Sequence, residues 1–263
     1  MQGAQILRNA AYFFRYAAMT KDAAQRRRWV FYEAVIEICP PIGYDVIMQG
    51  IFITFEGIEG CGKTTQAHLL SQHLEKQGYK IVMTREPGGT PISEAVREVL
   101  LSTDFMKMHP RTELLLYLAS RAQHITEVIT PALQDGKIII CDRFEDSTFV
   151  YQCYVRGIDF KTVEAMNHFA TGGVSPQITF VLDVDPAEGL ARAKSRNQRH
   201  ARKEDRLERE ALEFHQRVRE GYLKRAREYP GRMHVIKSDR DKEMVHGEIR
   251  EIVEGIVEKG KNV

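Results

Sequence analysis

The eight residues Gly57-Ile58-Glu59-Gly60-Cys61-Gly62-Lys63-Thr64 spell G-x-x-x-x-G-K-[ST], and their surroundings leave few folds open. The apolar run at 51–55 reads as a buried strand leading in, and 65–75 reads as a helix leading out. A strand, a glycine loop and a helix in that order wrap a phosphate. Glycines let successive backbone N–H groups point inward, and the helix N-terminus adds partial positive charge. Lys63 is suited to the β- and γ-phosphates and the Thr64 hydroxyl to Mg²⁺. The expectation is nucleoside triphosphate binding by Gly57, Ile58, Glu59, Gly60, Cys61, Gly62, Lys63, Thr64 and Thr65.

From Met48 onward strand and helix patterns alternate. Apolar strands are expected at 51–55, 80–84, 137–141, 178–183 and 233–236. Amphipathic helices are expected at 64–77, 92–101, 112–133, 162–171, 186–194, 207–228 and 242–258. Strands that are apolar throughout and separated by helices imply an α/β protein with a parallel sheet covered on both faces. Ligands of such sheets bind beyond the carboxyl ends of the strands. The turns at those ends carry Arg85-Glu86-Pro87-Gly88-Gly89-Thr90 and Asp142-Arg143-Phe144. Asp142 is suited to hold Mg²⁺ or its waters. Arg85 and Arg143 supply planar forks that clamp a second phosphate. The basic stretch from Arg192 to Glu208 reads as a lid that brings arginines to the transferring phosphoryl group.

Charge and cysteine content narrow the setting. A net charge of +2 over 263 residues argues against a nucleic-acid coat or a polybasic membrane anchor. No apolar stretch approaches the ~20 residues that span a bilayer. Cys39, Cys61, Cys141 and Cys153 show no C-x-x-C spacing, which fits a reducing cytoplasm. Residues 1–47 carry no motif residue, and their arginines are diluted by Asp22, Glu33, Glu37 and Asp45. That stretch is read as an extra or mis-called N-terminus ahead of a start at Met48, with a targeting signal as the alternative.

Phe55 to Thr65, Thr84-Arg85-Glu86-Pro87-Gly88-Gly89-Thr90, and Asp142-Arg143-Phe144 with Tyr151-Gln152 together resemble the bacterial thymidylate kinases, in order and spacing, from about Met48 to the C-terminus. The T-R-E-P-G-G-T segment is far more discriminating than the phosphate loop. The resemblance implies a nucleoside monophosphate kinase fold: a five-stranded parallel sheet flanked by helices in a domain at 48–263, with a mobile lid at about 192–208. It implies Mg²⁺-dependent transfer of the ATP γ-phosphoryl onto thymidine monophosphate (dTMP), giving the diphosphate. In the acceptor pocket Glu59 would contact the sugar 3′-hydroxyl, and Arg85 and Arg143 the phosphate. Tyr117 would stack on thymine, Arg121, Thr148 and Gln152 would meet the base, and Tyr151 would crowd a ribose hydroxyl. Some relatives carry an arginine inside the phosphate loop, where this chain has Gly60 and Cys61. The catalytic charge is therefore expected from the lid, with Arg196 and Arg192 ahead of Arg199 and Arg202, beside Lys63 and Arg143. Glu208 would reach the metal or its water shell. A homodimer is implied, with the apolar stretches at 114–129 and 149–154 as candidate surfaces. Another nucleotide kinase on this scaffold, or an ATP-gated binding module, remains an alternative.

Overall fold

Phe52, Ile53 and Phe55 are fully buried, and so are Ile139, Ile140 and Cys141 and, on a third strand, Ile178 and Phe180. Residues that are apolar on both faces of a strand need cover on both faces, so these strands form the middle of a helix-covered sheet. The computed structural model describes residues 49–199 and 204–260. The extension at 1–47 and the lid residues 200–203, Arg202 among them, lie outside the described residues. The strands are β1 (Ile51–Glu56), β2 (Ile81–Arg85), β3 (Ile138–Asp142), β4 (Ile178–Asp183) and β5 (Met233–Lys237). All neighbours are parallel, in the order β2-β3-β1-β4-β5. Each expected strand lies within one residue of an observed one.

β1 pairs with β3 on one side and β4 on the other. The connection from β1 crosses to β2 and the one from β3 crosses the opposite way to β4, which opens a crevice at their carboxyl ends. Register aligns what faces that crevice. Asp142 stands opposite both Phe55 and Arg85, so Glu56, Arg85 and Asp142 end together at one edge.

The helices that matter for the site are α1 (Lys63–Lys76), α2 (Pro91–Leu101), α3 (Pro110–His124), α4 (Thr130–Gln134), α5 (Glu145–Thr148), α6 (Phe160–Thr171), α7 (Pro186–Arg199) and α8 (Leu212–Glu228). The helical run expected at 112–133 continues from α3 to α4 through a wider, π-helical turn at Ile125–Ile129. Pro131 has no N–H for the carbonyl one turn back, which removes an ordinary helical bond there. A second π-helical turn, Phe149–Val155, follows α5. That stretch has no amphipathic period, and it is absent from the expected helices.

The helix expected from 207 begins at Leu212 instead. Upstream, the Asp205 carboxylate accepts from the N–H groups of Leu207 and Glu208, and Arg206 N donates to Leu101 O. Side-chain capping and a tertiary bond thus replace the first helical turn. The stretches at 114–129 and 149–154 are mostly interior: Leu114, Leu118, Ile125, Ile129, Phe149, Val150 and Tyr151 are all buried. Most of their apolar residues fill the core. The large apolar side chains left exposed nearby are Leu115 on α3 and Phe169 on α6.

Candidate active site

The loop after β1 needs its glycines. Gly57, Gly60 and Gly62 all have positive φ (133°, 71° and 100°), a region costly for residues with a Cβ. A Cβ on Gly60 would also lie 1.9 Å from Gly189 O on α7, so no side chain fits there. Cys61 is buried, with Sγ 3.5 Å from Lys63 Nζ. Lys63 folds back over the loop and donates to Gly57 O at 3.1 Å and Ile58 O at 2.7 Å. At the mouth of the loop Thr64 Oγ1 donates to Asp142 Oδ2 at 2.5 Å. A hydroxyl and one carboxylate side by side are hard oxygen donors. They suit Mg²⁺, which is typically held by one or two carboxylates together with substrate phosphates.

Beside this loop a cleft of about 320 Å³ is lined by Glu86, Pro87, Tyr117, Arg121, Arg143, Phe144, Ser147, Thr148, Tyr151, Gln152 and Leu207. The structure therefore brings Tyr117, Arg121, Arg143, Thr148, Tyr151 and Gln152 to one wall system. Arg143 is central to it. Among the described residues it is the one non-glycine residue with positive φ, at 72°. A bulky residue there carries strain of order 1–3 kcal/mol, offset only where its surroundings over-determine it. Arg143 Nη2 donates to Glu59 Oε1 at 2.7 Å, and Nη1 donates to Tyr222 OH at 3.0 Å and Ser147 Oγ at 3.3 Å. Its guanidinium also lies over the Tyr151 ring, 5.5 Å from the centroid.

Two carboxylates fix that arrangement. Glu59 also accepts from Tyr151 OH at 3.1 Å and has His215 Nδ1 at 3.4 Å. Burial pushes Glu59 upward, but Arg143, His215 and Lys63 outweigh it and hold the carboxyl well below the usual range. Behind it, Glu56 is fully buried at the end of β1. It accepts from Phe144 N at 2.8 Å, Ser147 N at 3.3 Å, Ser147 Oγ at 2.6 Å and Tyr222 OH at 2.9 Å. Burial, and then the nearby Asp146, raises the pKa of Glu56. Its hydrogen bonds cap α5 and aim the hydroxyls that receive Arg143.

Arg121 is buried and pinned. Nε donates to Glu86 Oε2 at 2.8 Å, and Nη1 donates to Thr148 Oγ1 at 2.9 Å and to Asn167 Oδ1. Glu86 also meets His124 Nδ1 at 3.0 Å, while His124 Nε2 pairs with Thr84 Oγ1 at 2.6 Å. Burial pushes Glu86 upward, but Arg121 and His124 together leave its pKa lowered.

Arg85 does not line the cleft. It is half exposed, and its Nη2 donates to both oxygens of Glu94 on α2, at 3.0 and 2.8 Å. Arg97, unforeseen from sequence, donates to Pro87 O at 2.8 Å. The lid arginines diverge. Arg192 pairs with Glu188 and donates to Ser238 O at 3.0 Å after β5. Arg196 Nη2 pairs with Glu208 Oε1 at 2.9 Å, and Arg199 Nε donates back to Ser195 O. Glu208 is thus occupied by Arg196 and by Asn197 Nδ2 at 2.8 Å. Among the described residues no cluster of three or more His, Cys, Asp or Glu side chains is arranged for a metal.

Glu56, Glu86, Asn167, His215 and Tyr222 were not assigned roles from sequence. For Glu56 and Glu86 a signal existed: a glutamate ending an apolar strand, or following one, is costly to bury without partners.

With this geometry in hand, a sequence model of the family described as thymidylate kinase matches residues 55–249. The thymidylate kinase of Geotalea uraniireducens is 50% identical over 189 residues, covering 72% of this chain and 89% of its own. That of Caldanaerobacter subterraneus is 46% identical over 214 residues, covering 81% of this chain and 100% of its own. The crystal structure of thymidylate kinase from Ehrlichia chaffeensis superposes with a TM-score of 0.63 at 37% identity, over 78% of this chain and 98% of that one.

The Glu56 network makes a prediction. Glu56→Gln keeps the shape but presents an amide N–H₂ where Tyr222 and Ser147 hydroxyls donate, and so misdirects Arg143. Turnover should fall by on the order of 10²-fold, the usual effect of displacing a reacting group by ~1 Å. Steady-state kinetics with circular dichroism as a folding control checks it, and a folded variant with wild-type turnover refutes the role.

Proposed function

Since this chain belongs to the thymidylate kinase family, we propose how its own residues carry the transfer of the ATP γ-phosphoryl onto dTMP. The observation that carries the proposal is the meeting, at one edge of the sheet, of a phosphate loop and a cleft walled by Arg143, Tyr117, Arg121 and Gln152.

In this reading the loop N–H groups and Lys63 hold the β- and γ-phosphates of ATP. Thr64 and Asp142 hold Mg²⁺, which when bound neutralises charge on the phosphate oxygens. The dTMP phosphate, already an anion, attacks the γ-phosphorus in line. A new P–O bond forms as the bond to the β-phosphate oxygen breaks, so no strong general base is required. Arg143 aims its fork at the acceptor phosphate because Glu59, Tyr222 and Ser147 fix it beforehand. Preorganised charge of this kind needs little rearrangement as the transition state forms. Arg85 joins it on release from Glu94. Tyr117 stacks on the base, Arg121 and Thr148 offer donors to the thymine 4-carbonyl, and Gln152 meets its neighbouring N–H. The Tyr151 ring borders the sugar, and Glu59 accepts from its 3′-hydroxyl.

The crowding at Gly60 supports a lid origin for the remaining positive charge, since an arginine cannot stand there. Arg196, paired with Glu208 beside the cleft residue Leu207, is the stronger candidate. Arg192, turned toward Ser238, is the weaker. Glu208, held by Arg196 and Asn197, would be free to meet the metal's water shell once Arg196 leaves it. A second copy of this chain is the partner suited to Leu115 and Phe169, which are 55% and 59% exposed on neighbouring helices α3 and α6.

Three outcomes are expected. Across a panel of monophosphate acceptors, kcat/KM for dTMP should exceed that for deoxycytidine monophosphate by at least ~10²-fold, because the wrong base leaves buried polar groups unpaired. Comparable turnover of another acceptor overturns the substrate assignment. Arg196→Ala should lower kcat by on the order of 10²–10⁴ with smaller changes in KM, the pattern of an interaction made in the transition state. A larger loss in Arg192→Ala reverses the order of the two arginines. Sedimentation should give a dimer that Leu115→Glu dissociates, and a wild-type monomer at micromolar concentration rules the dimer out.

A further inference from the structure

One buried carboxylate lies directly behind the cleft wall without lining it. Glu113, on α3 and only 1% exposed, receives Gln152 Nε2 at 2.8 Å, Arg206 Nη2 at 2.6 Å and Arg156 Nε at 3.4 Å. Arg206 is itself buried and donates through Nε to Leu100 O at 3.0 Å. Arg156 Nη2 is shared with Glu210 at 2.7 Å. Two guanidiniums therefore flank Glu113, from the C-terminal end of the lid stretch and from the end of the second π-helical turn.

Both Glu113 oxygens are taken by N–H donors, so the carboxylate acts here as an acceptor. That settles the polarity of the Gln152 side chain. The amide must turn its NH₂ toward Glu113, so its carbonyl Oε1 is left for the cleft, which Gln152 lines. A glutamine free to rotate would show either group. Arg121, which lines the same cleft, can only donate, and Glu86 and Asn167 lock its fork.

We propose that Glu113 is a positioning residue for base choice: it holds the Gln152 amide with its acceptor side toward the base. Together with Arg121, the cleft then shows one acceptor and one donor. A pyrimidine edge with a ring N–H beside a carbonyl fits this pair. The cytosine edge, a bare ring nitrogen beside an amino group, meets acceptor with acceptor and donor with donor. The inference rests on the acceptor assignment made above and explains what enforces it. Arg206, two residues before Glu208, donates to Glu113, so the wall is tied to the C-terminal end of the lid stretch.

Glu113→Gln tests this, because a carboxamide can accept or donate and frees Gln152 to invert. In the full-length enzyme, kcat/KM for dTMP relative to deoxycytidine monophosphate should fall at least about tenfold, with KM for dTMP rising and KM for ATP moving less than about twofold. In a Gln152→Ala background the same substitution should change the ratio no further. A folded Glu113→Gln with the wild-type ratio overturns the proposal. So does an equal loss with both acceptors, which marks a merely structural residue. Should Glu113→Gln not fold, Glu113→Asp keeps the charge beside Arg206 but withdraws from Gln152. The ratio should then fall at least about threefold, and an unchanged ratio again overturns the proposal. A wild-type enzyme that does not favour dTMP over deoxycytidine monophosphate refutes the acceptor assignment itself, and with it this inference.

Discussion

The ion pair between Arg143 and Glu59 joins the loop after β3 to the phosphate loop after β1, and most of the site is arranged around it. Arg143 adopts a left-handed backbone that an arginine avoids when unconstrained. Glu59, Tyr222 and Ser147 receive its guanidinium, and Tyr151 lies beneath it. The backbone strain and the fixed guanidinium belong together: the twist at residue 143 turns the side chain back toward the phosphate loop. The same residue then serves both halves of the crevice.

Around that pair the fold repeats one device, a buried carboxylate holding a cation. Glu86 pins Arg121, Glu113 holds Arg206 and Arg156, and Asp146 holds Arg225 and Arg232. Buried pairs of this kind add little net stability over apolar packing, since desolvation costs as much as the attraction returns. Their value here lies in orientation. An arginine whose fork is fixed before substrate arrives needs little reorganisation when charge shifts during phosphoryl transfer. The wall of the acceptor cleft is assembled from such fixed groups and from aromatic rings.

Legibility in the sequence followed the range of each interaction. The strands were readable to within a residue because apolar runs report burial directly. The phosphate loop was readable because its chemistry lies in consecutive residues. Arg85 was expected to face the crevice with Arg143. Arg85 ends β2 and Arg143 follows β3 at one sheet edge, yet Glu94, nine residues on, turns Arg85 aside. The apolar stretches at 114–129 and 149–154 were expected at a dimer surface, but apolarity does not say which element provides the cover, and for most of these side chains, Leu115 excepted, it is this chain's own core.

The sequence by itself determined the parallel α/β architecture, the phosphate loop with its Lys63 and Thr64, and the family of the acceptor pocket, since all three rest on local patterns of residue type and spacing. Only the tertiary structure decided which buried charged group meets which partner. Glu56 with Tyr222, Glu113 with Arg206 and Arg121 with Asn167 are separated by 166, 93 and 46 positions. No periodicity links residues so far apart. Their meeting follows from the strand order β2-β3-β1-β4-β5 and the packing of helices across it, and burial then makes each pairing obligatory, because an unpaired charge in that interior is too costly to keep.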